Sequence, residues 1–186
     1  MIGLLLLATG ASTRLGQPKQ LLHFQGQTLI ERSIHTALAT DVSERLVVLG
    51  AHAAQIMPEI VSLNIEKVTN PYWEEGIASS IRLGVKQLVQ KRPDLEAVVI
   101  MHCDQPSVTP ALLNQLIEVY RQTAMMLVVS ADENMLGVPA LFAHGTFYKL
   151  LALQGDKGAE SLIPDYEGQT GTIPFPQGQT LEDYQE

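Results

Sequence analysis

The sequence predicts an α/β protein, a three-layer α/β/α arrangement on a mainly parallel sheet. Short apolar runs recur at residues 2–7, 46–49, 65–69, 97–101 and 125–129, four of them without any charge. Strands covered on both faces read in this way. Amphipathic stretches lie between the runs, and such alternation implies βα units on a parallel sheet. Small or turn-forming residues close several of the runs, at Thr9-Gly10, Gly50, Asn70-Pro71 and Asp104-Gln105-Pro106. No internal repeat, low-complexity tract or linker divides the chain. Residues 1–186 therefore read as one domain, with a frayed tail from about residue 179.

Residues 2–7 form the first buried strand. Thr28 caps a helix whose apolar positions Leu29, Ile30, Ile34, Ala37 and Leu38 recur at helical spacing. The strand at 46–49 ends at Gly50, and a weaker helix over 53–63 holds Pro58 inside it, which predicts a break or kink. The strand at 65–69 leads through a turn to a helix over about 78–89. After the strand at 97–101, Thr109 supplies a cap and Pro110 a first-position proline for a helix over 111–121. A strand at 125–129, a helix over about 146–153 and a last short strand complete the pattern. Asp132, Glu133 and Asn134 read as solvated turn residues.

Composition narrows the class. Hydrophobic residues make up 46% and charged residues 17%, the balance of a soluble globular enzyme rather than a disordered chain. A formal net charge of −8 leaves no basic field for a nucleic-acid partner, although a nucleoside triphosphate needs only a few well-placed cations. The first apolar run is too short to span a bilayer and carries neither a basic region before it nor a cleavage site after it. No membrane partner and a cytoplasmic location are expected. A lone cysteine, Cys103, allows no intrachain disulfide and no multi-cysteine metal site.

The candidate chemistry gathers where the runs end. Ala8, Thr9, Gly10, Ala11, Ser12 and Thr13 are small enough for a backbone to approach a ligand closely. Their N–H groups could cradle phosphate oxygens, with Arg14 and Lys19 to neutralise them. This is not a P-loop, because Lys19 does not follow Gly16 directly and Gln20 stands where a Ser or Thr would hold magnesium. Nor is there a G-x-G-x-x-G for a dinucleotide. An ordinary strand-to-loop crossing with two exposed cations fits the same letters. Asp104 lies at the carboxyl end of its strand, where open α/β sheets bind ligands. It could hold Mg²⁺ with substrate phosphates, or cap a turn. His102 and Cys103 are adjacent in a strand and so point to opposite faces, which favours structural roles for both. Asn70, Gly76, Ser79 and Ser80 flank a helix N-terminus with free N–H donors, either to meet a base or to cap and pack the helix. Gly155, Asp156, Lys157 and Gly158 suit a plain turn equally well.

The string A-x-G-x-S-x-R-x-G-x-P-K-x-L from Ala8 to Leu21 resembles the signature loop of the MobA-like NTP transferases, and within them the molybdenum cofactor cytidylyltransferases most closely. The resemblance implies a Rossmann-like sheet of the nucleotidyltransferase type. N-x-x-W-x-x-G-x-x-S-S, from Asn70 to Ser80, resembles the family's second motif, which lies against base and ribose. D-Q-P-x-V-T-P from Asp104 resembles its metal motif, and G-x-P-x-L-F from Gly137 a segment bordering the acceptor pocket. G-D-K-G-A from Gly155 resembles a late motif that would make Asp156 a second metal ligand and set Lys157 near a phosphate. Relatives commonly carry Arg where this chain has Glu160.

By resemblance, then, the protein is a Mg²⁺-dependent nucleotidyltransferase, with Mn²⁺ as a substitute metal. CMP would pass from CTP to molybdopterin and pyrophosphate would leave. Lys19, Arg14 and Asp104 would be catalytic. Ala8, Gly10, Ala11, Ser12, Arg14, Lys19, Asn70, Gly76, Ser79 and Ser80 would bind the nucleotide, and Asp104 and Asp156 the metal. A molybdenum enzyme receiving the finished cofactor is a further implied partner. The alternatives are transfer from another NTP to a sugar phosphate or similar small phosphate, and a non-catalytic carrier of the molybdenum cofactor.

Overall fold

The computed structural model describes residues 1–12, 16–131 and 136–175. β1 (Ile2–Ala8) is buried at every position, as its uncharged sequence requires. A 3₁₀ turn at Lys19–Leu21 follows, then a two-stranded hairpin of β2 (His23–Phe24) and β3 (Gln27–Thr28). α1 (Leu29–Leu38) begins on a complete capping box, in which Glu31 N–H donates to Thr28 Oγ1 and Thr28 N–H to the Glu31 carboxylate. Next come β4 (Glu44–Leu49), α2 (Ala53–Ile60), β5 (Glu66–Thr69), α3 (Ile77–Lys91) and β6 (Ala97–His102). α4 (Pro110–Thr123) is capped by Thr109 Oγ1, which accepts from Leu112 N–H at 3.2 Å. β7 (Leu127–Ala131), β8 (Leu136–Ala143), α5 (Phe147–Leu150), a 3₁₀ stretch at Ala159–Tyr166 and β9 (Thr170–Pro174) complete the elements.

The main sheet has seven strands in the order β5-β4-β1-β6-β8-β7-β9. β5, β4, β1 and β6 run parallel, β8 runs antiparallel to both β6 and β7, and β9 is parallel to β7. Alternation along β1 divides the core. Leu4, Leu6 and Ala8 face a cluster with Ile30 and Ile34 of α1, Ile56 of α2 and Leu113 and Leu116 of α4. Leu5 and Leu7 face the other cluster, with Ile81 and Val85 of α3 and Leu150 of α5. Both faces of the sheet are thus covered by helices, the predicted three layers. Each fully buried Leu or Ile in these clusters contributes roughly 1.5–3 kcal/mol of transfer free energy. Gly84 lets α3 approach β1, since a Cβ there would come within 2.7 Å of Leu5 Cδ2.

Several elements differ from the sequence expectation. Residues 137–142, matched there only to a family segment, belong to β8, an internal strand that contains Pro139. A proline inside a sheet removes a ladder donor. Here the pairing of β8 with β7 shifts between Val129 and Ser130, skipping Val138 and Pro139, and its pairing with β6 starts only at Ala140. The proline sits at this irregularity, beyond the partners of β6. α2 stops at Ile60, two positions after Pro58, rather than running to residue 63. The helix expected over 146–153 is one turn, entered through a 3₁₀ turn at His144–Thr146. Among the described residues no helix is long and apolar enough to cross a membrane.

Candidate active site

Strand order decides where the site lies. From β1 the chain steps outward to β4 and β5 and then returns to β6 on the other side of β1. Open α/β sheets leave a crevice beyond the carboxyl ends of their strands at such a reversal. Leu7 pairs with His102, so the segment after β1 emerges beside the segment after β6. Between them lies a cavity of about 300 Å³ lined by Gly10, Ser12, Lys19, Gln20, His102, Cys103 and Asp104, with Leu7, Thr9 and Ile77 at its margins.

The first loop is closed by its own polar atoms. Lys19 N–H donates to Ser12 Oγ at 2.9 Å, and Ser12 takes a left-handed conformation with φ 52°. The Gln20 amide reaches back to the carbonyls of Gly10 and Ala8 at 2.9 and 3.4 Å. Among the described residues the N–H groups of Gly10, Ala11 and Ser12 take no hydrogen bond. Neither the Lys19 ammonium nor the Asp104 carboxylate forms an ion pair among the described residues. An unpaired cation and an unpaired carboxylate in one half-buried cavity suit a ligand that brings both phosphates and a metal. Arg14 lies outside the described residues.

The Asp104 segment is tied to the helix that follows the first loop. Ser33 Oγ donates to Cys103 O at 3.2 Å, and Arg32 Nε to Pro106 O at 3.0 Å. Gln105 Nε2 donates to Val138 O at 2.7 Å, joining the same segment to β8 and the residues that resemble the acceptor border. Burial pushes the Cys103 thiol up, and the neighbouring Asp104 adds to it. Burial of this kind favours the protonated sulfur over the reactive thiolate. Neither tie carried a sequence signal, because Arg32 and Ser33 read only as helix residues.

The other predicted residues lie apart from this cavity. Asn70, Ser79 and Ser80 are buried. Asn70 Nδ2 donates to Ser79 Oγ at 2.8 Å and Ser80 Oγ at 2.9 Å, and Asn70 Oδ1 accepts from Tyr72 N–H. Ser79 Oγ is also within bonding distance of the carbonyls of Tyr72 and Gly76, at 2.9 and 2.8 Å. These side chains hold one another, and Asn70 and Ser79 line a separate hollow of about 420 Å³. Gly76, at φ 96°, admits no Cβ: one would meet Gly155 and come within 2.6 Å of Asp156 Oδ1. Ala78 N–H also donates to Gly155 O at 3.1 Å. Asp156 is thereby packed against the start of α3, one residue from Ile77, but does not itself line the main cavity. Lys157 is exposed and lines another hollow with Lys149 and Asp165. Ala8 is buried at its strand end.

Among the described residues no group of three or more His, Cys, Asp or Glu could hold a metal. A closed structural site is not what this donor set offers. A single cavity carboxylate does fit Mg²⁺ or Mn²⁺, which are held by one or two carboxylates together with substrate phosphates.

The sequence profile described as the MobA-like NTP transferase domain matches residues 4–170. Nicotine blue oxidoreductase of Paenarthrobacter nicotinovorans is 34% identical over 141 residues, 75% of this chain and 66% of that protein. The match thus spans just under two thirds of that relative. A probable molybdenum cofactor guanylyltransferase of Bacillus cytotoxicus is 27% identical over 151 residues, 79% of this chain and 72% of that protein. The crystal structure of Rv0371c from Mycobacterium tuberculosis superimposes with a TM-score of 0.82 at 29% identity, covering 98% of this chain and 94% of that one. A manganese complex of the same protein superimposes with a TM-score of 0.80.

Proposed function

The chain belongs to the MobA-like NTP transferase family, and on that premise we propose that it transfers CMP from CTP to molybdopterin, releasing pyrophosphate. The observation that carries the proposal is the presence, in one cavity, of a Lys19 ammonium and an Asp104 carboxylate that form no ion pair among the described residues, beside first-loop N–H groups that donate no hydrogen bond among those residues. An acceptor phosphate oxygen forms a new bond to the α-phosphorus as the bond from that phosphorus to the pyrophosphate oxygen breaks. The acceptor is already ionised at neutral pH, so no general base is required. What the protein supplies is alignment and cancellation of developing charge.

In this reading the N–H groups of residues 10–12 hold the triphosphate, Arg14 meets its outer phosphates and Lys19 faces the α-phosphate. Asp104 would hold the divalent ion, with Asp156 as a second carboxylate, and the ion would neutralise charge on donor and acceptor phosphates. Gly76 and the first turn of α3 face base and ribose through their backbone, while Asn70, Ser79 and Ser80 fix the shape of that turn. GTP is the competing donor, favoured by the relative named as a guanylyltransferase.

Thermal unfolding with CTP, GTP, ATP and UTP, each with and without Mg²⁺, tests the binding step. A ligand at about a hundred times its Kd adds roughly 2.7 kcal/mol of stability. A shift selective for Mg-CTP, followed by CMP transfer to molybdopterin, is the expected result. Selectivity for Mg-GTP keeps the chemistry and changes the donor. Stabilisation by a reduced nicotinamide cofactor and by none of the triphosphates would sink the transferase reading and favour a redox role like that in the name of the 34% identical relative. Undiminished cofactor delivery by an Asp104→Asn variant would instead identify a carrier.

A further inference from the structure

We propose that Gln20 and His52 are positioning residues of the first loop: they draw its carbonyls back into the protein, so that the N–H groups of Ala11 and Ser12 are aimed at the triphosphate. The inference rests on the preceding reading of this loop as the phosphate holder.

A trans peptide is planar, with the carbonyl of one residue opposed to the N–H of the next. Holding a carbonyl therefore sets the direction of the following amide. Gln20 Nε2 donates to Gly10 O at 2.9 Å, which turns the Ala11 N–H the opposite way. His52 Nε2 lies 2.8 Å from Ala11 O. A carbonyl only accepts, so that nitrogen carries the proton, and the Ser12 N–H is turned away in its turn. The two carbonyls are gripped from different elements, Gln20 on the 3₁₀ turn and His52 on the turn between β4 and α2. The segment that carries His52 also lies close to the start of the loop: a Cβ on Gly50, two residues before His52, would come within 2.7 Å of Thr9 O.

Gln20 also shows what its position requires. The side chain is 2% exposed, and its Oε1 is buried without a partner among the described residues. A methionine of similar length would leave no such oxygen unpaired. The donor end is what the site uses. Neither role has a signal in the sequence, since Gln20 stands out only as a departure from a P-loop and His52 lies unremarked between Gly50 and the helix that follows.

Calorimetric titration of the full chain with magnesium tripolyphosphate and with Mg-CTP reads the effect with and without a base. His52→Ala should weaken both ligands about tenfold, the equivalent of one lost hydrogen bond. His52→Gln keeps an amide donor of similar reach and should recover most of that loss. Gln20→Glu should weaken binding at least about tenfold, because an acceptor then faces two carbonyls. In turnover the KM for the nucleotide should rise while that for the acceptor holds. Folded His52→Ala and Gln20→Met variants that bind within twofold of wild type would overturn the inference and leave the transferase reading standing. Wild type that binds neither ligand would overturn the transferase reading, and this inference with it. If those variants do not fold, hydrogen exchange of the Ala11 and Ser12 amides in wild type decides. Protection that appears only with the magnesium-bound ligand supports the proposal, and unchanged exchange overturns it.

Discussion

The loop after β1 and the turn after β5 occupy corresponding places, each at the carboxyl end of a parallel strand and each rich in small polar residues. Their hydrogen bonds run in opposite senses. In the first, Gln20 and His52 hold the carbonyls, while among the described residues the N–H groups and the Lys19 ammonium remain open. In the second, Asn70, Ser79 and Ser80 consume their polar atoms on one another and on the carbonyls of Tyr72 and Gly76. Since nearly all buried polar groups find a partner, polar residues at a strand end become ligand candidates only after their internal bonds are counted. Among the described residues the first loop is left open to a ligand, and the second is closed on itself.

Substitution can break or sharpen this contrast. The largest effects belong to the open side: Lys19→Ala and Asp104→Asn should each lower nucleotidyl transfer by on the order of 10²–10³-fold. The melting temperature should stay near wild type, since neither group is held in an ion pair among the described residues. A variant that lost stability and activity together would show that the open side is structural after all. Gly76→Ala comes next. Forcing a side chain into its left-handed backbone against Gly155 and Asp156 should cost about 1–3 kcal/mol, read by chemical denaturation, with a parallel loss of turnover as the Asp156 loop is displaced.

Asn70→Ala addresses the closed side directly. It leaves two buried serine hydroxyls short of a partner and should cost about 1–3 kcal/mol in stability. Its Kd for Mg-CTP should nevertheless stay within a few-fold of wild type. A stable Asn70→Ala protein with strongly weakened binding would falsify the division drawn here. The smallest effect is a control on the open loop's own side. Thr28→Ala should cost about 1 kcal/mol with no change in ligand affinity. Hydrogen bonds from Thr28 hold the Glu31 carboxyl below the usual carboxylate range. A depressed folded-state pKa contributes stability above the unfolded value and loses it as pH falls through the folded one. The gap between wild type and Thr28→Ala should therefore narrow in acid below about pH 4, which denaturation at pH 7 and pH 3.5 would measure.

How far the sequence could be read follows from the same physics. β1, β6 and the buried part of β4 at 46–49 were legible because burial on both faces leaves uncharged runs, whereas the edge strand β5 has no buried position and carries Glu66 and Lys67. α4 was legible from Thr109 and Pro110, whose local chemistry starts a helix whatever lies around it. β8 was not, since Pro139 argues against an internal strand until the pairing irregularity beside it is seen. Lys19, Gly10, Ser12 and Asp104 could be named in advance and do share one cavity. The internal bonding of Asn70, Ser79 and Ser80 could not be foreseen. Whether a serine hydroxyl faces a ligand or a neighbouring asparagine depends on a rotamer and on a residue ten positions away.

β1 has one more consequence, and it concerns the order in which the protein is made. Its two sheet partners both come later: β4 begins at Glu44, and β6 only at Ala97, about halfway along the 186 residues. A ribosome adding residues one at a time therefore releases an uncharged, strongly apolar segment long before either neighbour exists to cover it. Pairings this distant are slow to form, and an unpaired apolar strand is an invitation to association between nascent chains. The strand whose carboxyl end opens into one wall of the cavity is thus also one that waits for both of its sheet neighbours while the chain is made.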